Sequence, residues 1–439
     1  DVQAVSTTTG AVSVVATLPQ PLYGAAAFTL DGVVYVAGGE TPDGGTLTEI
    51  DAFVPATHRV LFAGLLPQAV AFGGATTVGE GATATGFLVG GEVASQSGPD
   101  QAGLASAGTL RTVLALRPSP YGGPAGTPHA GTPYGGKLLV ADRGNDRLLV
   151  LTPARLISWI YPSATKPPPP GGFYFPDDAF FFKHGTGIIS NQEDNHTIVE
   201  IAYPSGRILW DYGHARHPGS APGYLDQPDD AYYWPNGLVS VADASNNRVI
   251  FLSPSKAVVS QIGDGVDAHV PGVSIAYPNG DTPLADGDVL VSEVDGSWIS
   301  EYTPSGHVVW TRHFPQVAYP SDPQQLGPDL YLMTDYNPTG EGRIVEFTRS
   351  GRIVWRYDST AGDAALKKPS LAERLPNGLI MVNDDYRDRV VVIDPTKNWI
   401  VWQYGLTDLA GTSPGRLSIP DGFDLLEPGG VTPTHPQTG

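Results

Sequence analysis

Six times between Tyr134 and Gly405 the chain runs through one pattern. A Pro followed by a small polar residue opens each unit, at Asp177, Asp229, Asn279, Ser321, Ser370 and finally Asp421. Fifteen positions after the Pro comes an acidic or amide residue: Asn191, Asp243, Glu293, Asp335 and Asp384, with Asp142 in the first unit. An apolar strand follows, with a slot holding Arg147, Thr197, Arg248, Trp298, Arg343 and Arg389. Each unit closes on a second apolar strand, usually with a Trp. The slot filled by Trp159, Trp210, Ser260, Trp310, Trp355 and Trp402 recurs at steps of 51, 50, 50, 45 and 47 residues. Short strands, frequent turns and a period near fifty specify an all-β chain of β-propeller blades, each a four-stranded sheet.

The first 118 residues follow another rule. Gly32-Val-Val-Tyr-Val-Ala-Gly-Gly-Glu40 and Thr85-Gly-Phe-Leu-Val-Gly-Gly-Glu92 each put a double glycine after an apolar strand. This resembles the kelch repeat, in which the glycine pair lets a strand end pack tightly against its neighbour. The later aromatic pair of that repeat is missing, with Phe53 and Phe62 the nearest substitutes, so these are degenerate kelch blades. Residues 1–17 read as the last two strands of a further unit, so that the sequence opens in mid-blade at Asp1. The six later units resemble NHL-type propellers through Ala141-Asp-Arg-Gly-Asn-Asp-Arg147 and Ala242-Asp-Ala-Ser-Asn-Asn-Arg248. Their Gly-Arg-x-x-Trp endings, as in Gly206-Arg-Ile-Leu-Trp210, are similar to propellers of the PQQ-enzyme and arylsulfotransferase type.

The expected domains are degenerate kelch blades over 1–118, a Pro/Gly-rich linker over 119–133, a six-bladed ring over 134–427 and a tail over 428–439. The first ring unit has a poor innermost strand, whereas Ile419-Pro-Asp-Gly-Phe-Asp-Leu-Leu426 is an innermost strand without a unit. Letting the second complete the first closes the ring. The alternative is one eight-bladed ring that takes in the two kelch blades.

A formal net charge of −20 argues against nucleic-acid binding, which needs a basic footprint. No eighteen-residue apolar run exists, so no membrane span is expected. Cysteine is absent, which removes disulfides, thiolate metal sites and a Cys nucleophile. The start at Asp1 and a surface poor in charge read as a processed, exported protein, secreted or at the cell surface.

Innermost strands line a propeller's channel, so the residues after each Pro converge on the axis. Asp177, Asp229, Asn279, Ser321, Ser370 and Asp421 then make an oxygen-rich tier, with Asp178, Asp230, Asp281, Asp322 and Asp424 beside it. Such a set suits a hard cation, Ca²⁺ first. The same residues also make local turns at strand starts. The Asp…Arg pairs and the Trp series recur in nearly every unit and therefore read as architecture. Breaks in the repeat are more informative: Glu193-Asp-Asn-His196, Glu293 with Trp298, and His214-Ala-Arg-His217. No Gly-x-Ser-x-Gly, His-Glu-x-x-His or phosphate-cradling loop is present.

The reading is an extracellular binding or assembly module with a protein partner, or itself, paired at the strand edge of the incomplete N-terminal blade. The alternative is a metal-dependent hydrolase, lyase or lactonase using the acidic tier. A carbohydrate surface built on Phe173, Tyr174, Tyr224 and Tyr336 is a third reading.

Overall fold

A computed structural model describes residues 1–30, 32–42, 45–56, 58–66, 69–79, 84–93, 108–109, 113–116, 133–153, 155–359, 364–433 and 435. Among them there are strands and single 3₁₀ turns but no α-helix. No helix among the described residues is long and apolar enough to cross a membrane. The chain divides into two compact units, Asp1–Thr132 and Pro133–Gly439. The linker expected over 119–133 lies, Pro133 aside, outside the described residues.

In the first unit Val2–Val5 pairs with Val12–Ala16 as a two-stranded ribbon. A four-stranded sheet follows in the order Ala26–Leu30, Val33–Ala37, Glu49–Val54, Arg59–Leu65. Gly74–Val78, Thr85–Val89 and Val113–Leu116 make a three-stranded sheet. The glycine pairs act as their spacing implies. Gly38 and Gly91 take φ of 66° and 112°, and a Cβ on Gly38 would lie 2.1 Å from the Val70 carbonyl oxygen. Only glycine tolerates that backbone at that distance.

The second unit holds six four-stranded antiparallel sheets in chain order. The first is made of Lys137–Asp142, Arg147–Leu151 and Ile157–Tyr161, and its innermost strand is Pro420–Leu426 from the far end of the chain. The closing strand therefore does what the unpaired Ile419–Leu426 segment implied. The innermost strands of the other sheets are Pro176–Phe182, Pro228–Tyr233, Pro278–Pro283, Pro320–Gly327 and Ala372–Arg374. Each sheet packs its inner strands beside those of the next, and the sixth packs beside Pro420–Leu426, so the sheets follow one another around an axis.

The sequence builds these sheets by simple means. Strand residues on both faces are apolar because each sheet is covered by a neighbour on either side. Leu139, Val150 and Trp159 of the first sheet thus meet Phe181, Ile188 and Val199 of the second. Pro is admitted because it is the first residue of the innermost strand, where its missing N–H breaks no ladder. A bulge follows the Pro in the second, third and fourth sheets, between Pro176 and Ala179, Pro228 and Asp230, and Pro278 and Asp281. Bulges bend a strand and re-aim its side chains.

Adjacent sheets are also clasped by hydrogen bonds. In four of the six sheets a left-handed residue at the hairpin corner accepts the backbone N–H of the residue before the next Pro. Phe175 N donates to Asp146 Oδ1 at 2.9 Å, Tyr277 N to Asn247 Oδ1 at 2.9 Å and Ile419 N to Asp388 Oδ1 at 3.1 Å. His196 is the same device, its Nδ1 accepting from Gln227 N at 3.1 Å. Its place in the repeat is architectural, and it is not drawn together with His214 or His217. His214 packs on Tyr224, and His217 Nδ1 lies 2.8 Å from the Ala215 carbonyl.

Candidate functional site in the channel mouth

The residues after each Pro do converge. Asp177, Asp229, Asn279, Ser321, Ser370 and Asp421 line one cavity of about 240 Å³ at the strand-start end of the channel. The bulges bring second residues in as well, since Asp178 and Asp322 line the same cavity. Asp230, Asp281 and Asp424 do not. The Asp230 carboxylate instead accepts the N–H of Ala231 at 2.8 Å and of Asp281 at 3.4 Å, deeper in the channel.

Of two further contributors, Arg143 escaped the sequence reading and Glu193 stood there only as a break in the repeat. Arg143 and Glu193 follow the acidic or amide residue that ends the second strand of the first two sheets. The equivalent residues are Ala244, Val294, Tyr336 and Asp385, so this is the position at which the repeat is least uniform. That lack of uniformity was the available signal. The sequence reading was also one residue out in the second sheet. Gln192, not Asn191, pairs with Thr197 and faces Pro176, as Asp243 pairs with Arg248 and faces Pro228. Asn191 turns inward, donating to the Asp229 carbonyl at 2.5 Å and accepting from Asp178 N at 3.1 Å.

Seven carboxyl side chains and one guanidinium line the cavity. The guanidinium of Arg143 bonds Asp177 and Glu193, and meets Asp421 Oδ2 at 2.5 Å. Burial opposes its charge, but Asp177, Asp421 and Glu193 outweigh that and hold it firmly protonated. One cation cannot compensate the rest. Burial pushes Asp177, Asp178, Asp229 and Asp322 well above the usual carboxylate range, and neighbouring carboxylates add to the rise. Asp230 is pushed up to about 7 by burial. Asp178 Oδ1 and Asp322 Oδ1 are buried and accept no hydrogen bond. Such atoms are costly unless a ligand reaches them.

Other walls are better satisfied. Ser370 donates to Asp421 Oδ1 at 2.5 Å, and Ser321 donates to Asn279. Tyr319, Tyr336, Tyr386 and Phe175 make an aromatic part of the lining. Burial raises the first two phenols, so they stay neutral. The backbone here is strained: Phe175 and Ile419, both just before Pro, have φ of 47° and 45°. The whole is an acidic, oxygen-lined cup with a fixed arginine on one side.

No curated protein matches this chain. Among solved structures it is similar to a protein of unknown function from Bacteroides caccae, at 17% identity and a TM-score of 0.48, over 66% of this chain and 98% of that one. It is similar to a streptogramin B lyase at 14% identity and a TM-score of 0.41, over 83% and 92% of the two chains. A chain of the nidogen/laminin complex matches at 12% identity and a TM-score of 0.46, over 66% and 97%. Residues 194–419, just over half of the sequence, match the PQQ-repeat family described as outer membrane protein assembly factor BamB, and the chain belongs to that family.

Proposed function

We propose that this protein is a propeller binding module whose channel mouth takes a hard divalent cation, with Ca²⁺ the best fit. One observation carries the reading: seven carboxyl groups and one guanidinium line the cavity, and two of those carboxyls, Asp178 and Asp322, each hold a buried, unpartnered oxygen. Oxygen-only donors in a wide cup favour Ca²⁺, which takes six to eight oxygens in flexible geometry, over Mg²⁺, which demands a tight octahedron. A site so open corresponds to affinities on the order of 10⁻⁴–10⁻³ M, those of extracellular calcium modules. An exported location accords with that range.

Calorimetric titration of the EDTA-stripped protein with CaCl₂ tests this. One equivalent binds in the wild type, and the D178N/D322N variant gives no heat. A stripped, folded wild type that gives no heat with CaCl₂ and no rise in melting temperature would end the proposal.

A second reading, self-association through the N-terminal ribbon, draws on its exposed Val5, Val12 and Val14. Two-stranded ribbons are marginal alone and readily accept further strands. Light scattering decides: a monodisperse monomer of 46.2 kDa at all concentrations removes it.

A further inference from the structure

Deeper in the channel a chemically different set of donors assembles. Glu373 and Asp424 each lie three residues beyond the tier members Ser370 and Asp421 on their segments. At a strand's rise per residue that puts them about 10 Å along the axis from the tier. His435 joins them from the segment after the closing strand. Residues 427–435 fold back there, with Glu427 N donating to the Val431 carbonyl at 2.8 Å and Thr432 Oγ1 to the His435 carbonyl at 2.8 Å. The imidazole ends up fully buried, its centroid 4.6 Å from that of Phe180 and 5.3 Å from that of Tyr232. A sequence that reads as a tail over 428–439 thus delivers its last described residue to the axis.

We propose that Glu373, Asp424 and His435 form a second metal site, for a transition metal of the Zn²⁺ class. One donor atom from each lies within 4.8 Å of the other two, a spacing that one ion can bridge. All three side chains are buried. His435 Nε2 is the ring atom turned to Glu373 Oε1. Glu373 Oε2, in a side chain only 1% exposed, accepts no hydrogen bond. An imidazolium would balance one of the two carboxylates and leave that oxygen unserved. A divalent ion balances both and uses it.

Asp424 is already oriented for the task. Its Oδ2 accepts Phe181 N and its Oδ1 accepts Leu425 N, each at 2.7 Å. Backbone donors that fix a ligating carboxylate are the usual outer support of a metal site. An imidazole nitrogen with two carboxylates selects Zn²⁺ or a neighbouring transition metal, whereas the mouth, with oxygens alone, suits Ca²⁺. The metal would pin the 427–435 segment across the channel and close that end.

The experiment uses the full chain, stripped with EDTA and then held in saturating CaCl₂ so that the mouth is occupied or shown inert. Zinc chloride is titrated calorimetrically, and cobalt chloride is followed by its visible absorption. One equivalent of Zn²⁺ binds despite the calcium, and Co²⁺ gives a tetrahedral spectrum. E373Q and H435Q each weaken Zn²⁺ by about 100-fold or more, while D229N at the mouth leaves it unchanged. Circular dichroism of each variant without metal shows that the fold persists. A folded wild type that takes up neither ion, undiminished uptake in both variants, or zinc displaced by calcium in simple competition would each overturn the proposal. The first two leave the calcium reading of the mouth untouched, whereas the third would show calcium bound where zinc binds.

Discussion

His269 Nδ1 lies 2.9 Å from both carboxylate oxygens of Glu293. Glu293 is the acid of the fourth sheet's hairpin, and in the first, third, fifth and sixth sheets that acid is held by an arginine. Arg147 Nε meets Asp142 at 2.6 Å, Arg248 Nε meets Asp243 at 2.7 Å and Arg389 Nε meets Asp384 at 2.7 Å. In the fourth sheet Trp298 takes the arginine's slot, so the partner must come from elsewhere. A histidine from the preceding loop supplies it, stacked 3.8 Å over the Trp298 ring. Its Nε2 lies 3.2 Å from Thr311 Oγ1, which fixes the ring's far edge. One lock has thus been rebuilt from different parts.

Removing His269 leaves a fully buried Glu293 with only Ala276 N and the Ser300 hydroxyl as partners. H269A should therefore destabilise the second unit by about 2–4 kcal/mol. Adding W298R restores an arginine to the slot, and the double variant should recover more than half of the loss. Urea unfolding of the three proteins measures this. Equal losses in the single and double variants would mean that the stack, not the bond to Glu293, secures the loop.

Arg143 joins Asp177, Glu193 and Asp421, which lie 34, 50 and 278 residues away in the chain. R143Q withdraws the one guanidinium lining the cavity, at a cost of about 3 kcal/mol or more at neutral pH. The deficit should shrink as pH falls. A buried carboxylate whose folded-state pKa is raised, as those of Asp177 and Glu193 are by burial, favours folding when protonated and disfavours it as pH rises. Calcium should raise the melting temperature of R143Q more than that of the wild type. A variant with unchanged melting temperature at pH 8 and no added calcium response would contradict both expectations.

How much of this the sequence carried depends on how local the cause was. The sheet order, the Pro at each innermost strand and the closing strand Pro420–Leu426 were legible because each follows from a repeated pattern of near neighbours. The oxygen tier was legible for the same reason. Asn191 was misaligned with Gln192 because the second sheet's first hairpin is one residue longer, and a single-residue slip turns a side chain to the other face. Arg143 was missed, and Glu193 was read only as a break in the repeat, because their meaning lies in which sheets become adjacent across the axis. His269 and His435 sit outside the repeating units, one in a loop and one beyond the last strand, where no periodicity points to a partner.

The tryptophan series has a more specific role than packing. Trp159 Nε1 donates to the Pro204 carbonyl at 2.7 Å, Trp210 Nε1 to Pro254 at 3.2 Å and Trp355 Nε1 to Pro395 at 3.2 Å. Each bond runs from the outer strand of one sheet to a hairpin turn of the next. Where the Trp is replaced, Ser260 donates to the Pro304 carbonyl instead. Where the turn has Arg349 in place of Pro, Trp310 turns to Glu301 at 2.6 Å and Arg349 lies over its ring. W159F keeps the ring contacts with Tyr161 and Tyr203 but loses the bond. A loss of about 1 kcal/mol is expected in urea unfolding, whereas W310F should not open that joint, because Arg349 still bonds Glu301 at 3.0 Å.

Glu200 offers the cleanest test of pH dependence, because it stands apart from the channel. It is buried on the third strand of the second sheet, paired across to Ile189 and Trp210. Burial pushes its pKa up from 4.5 to about 7, with Lys183 only partly offsetting the rise. The folded form therefore holds this proton more tightly than the unfolded form does. Its contribution to stability is fully present below pH 4.5 and is lost as pH climbs through about 7. E200Q keeps the shape and removes the titration. At pH 8 the variant should be more stable than the wild type by up to about 3 kcal/mol, and near pH 4 the two should converge. Unfolding measured at both values reads the difference directly, and a constant gap between the proteins across that range would mean that Glu200 does not titrate in the folded state.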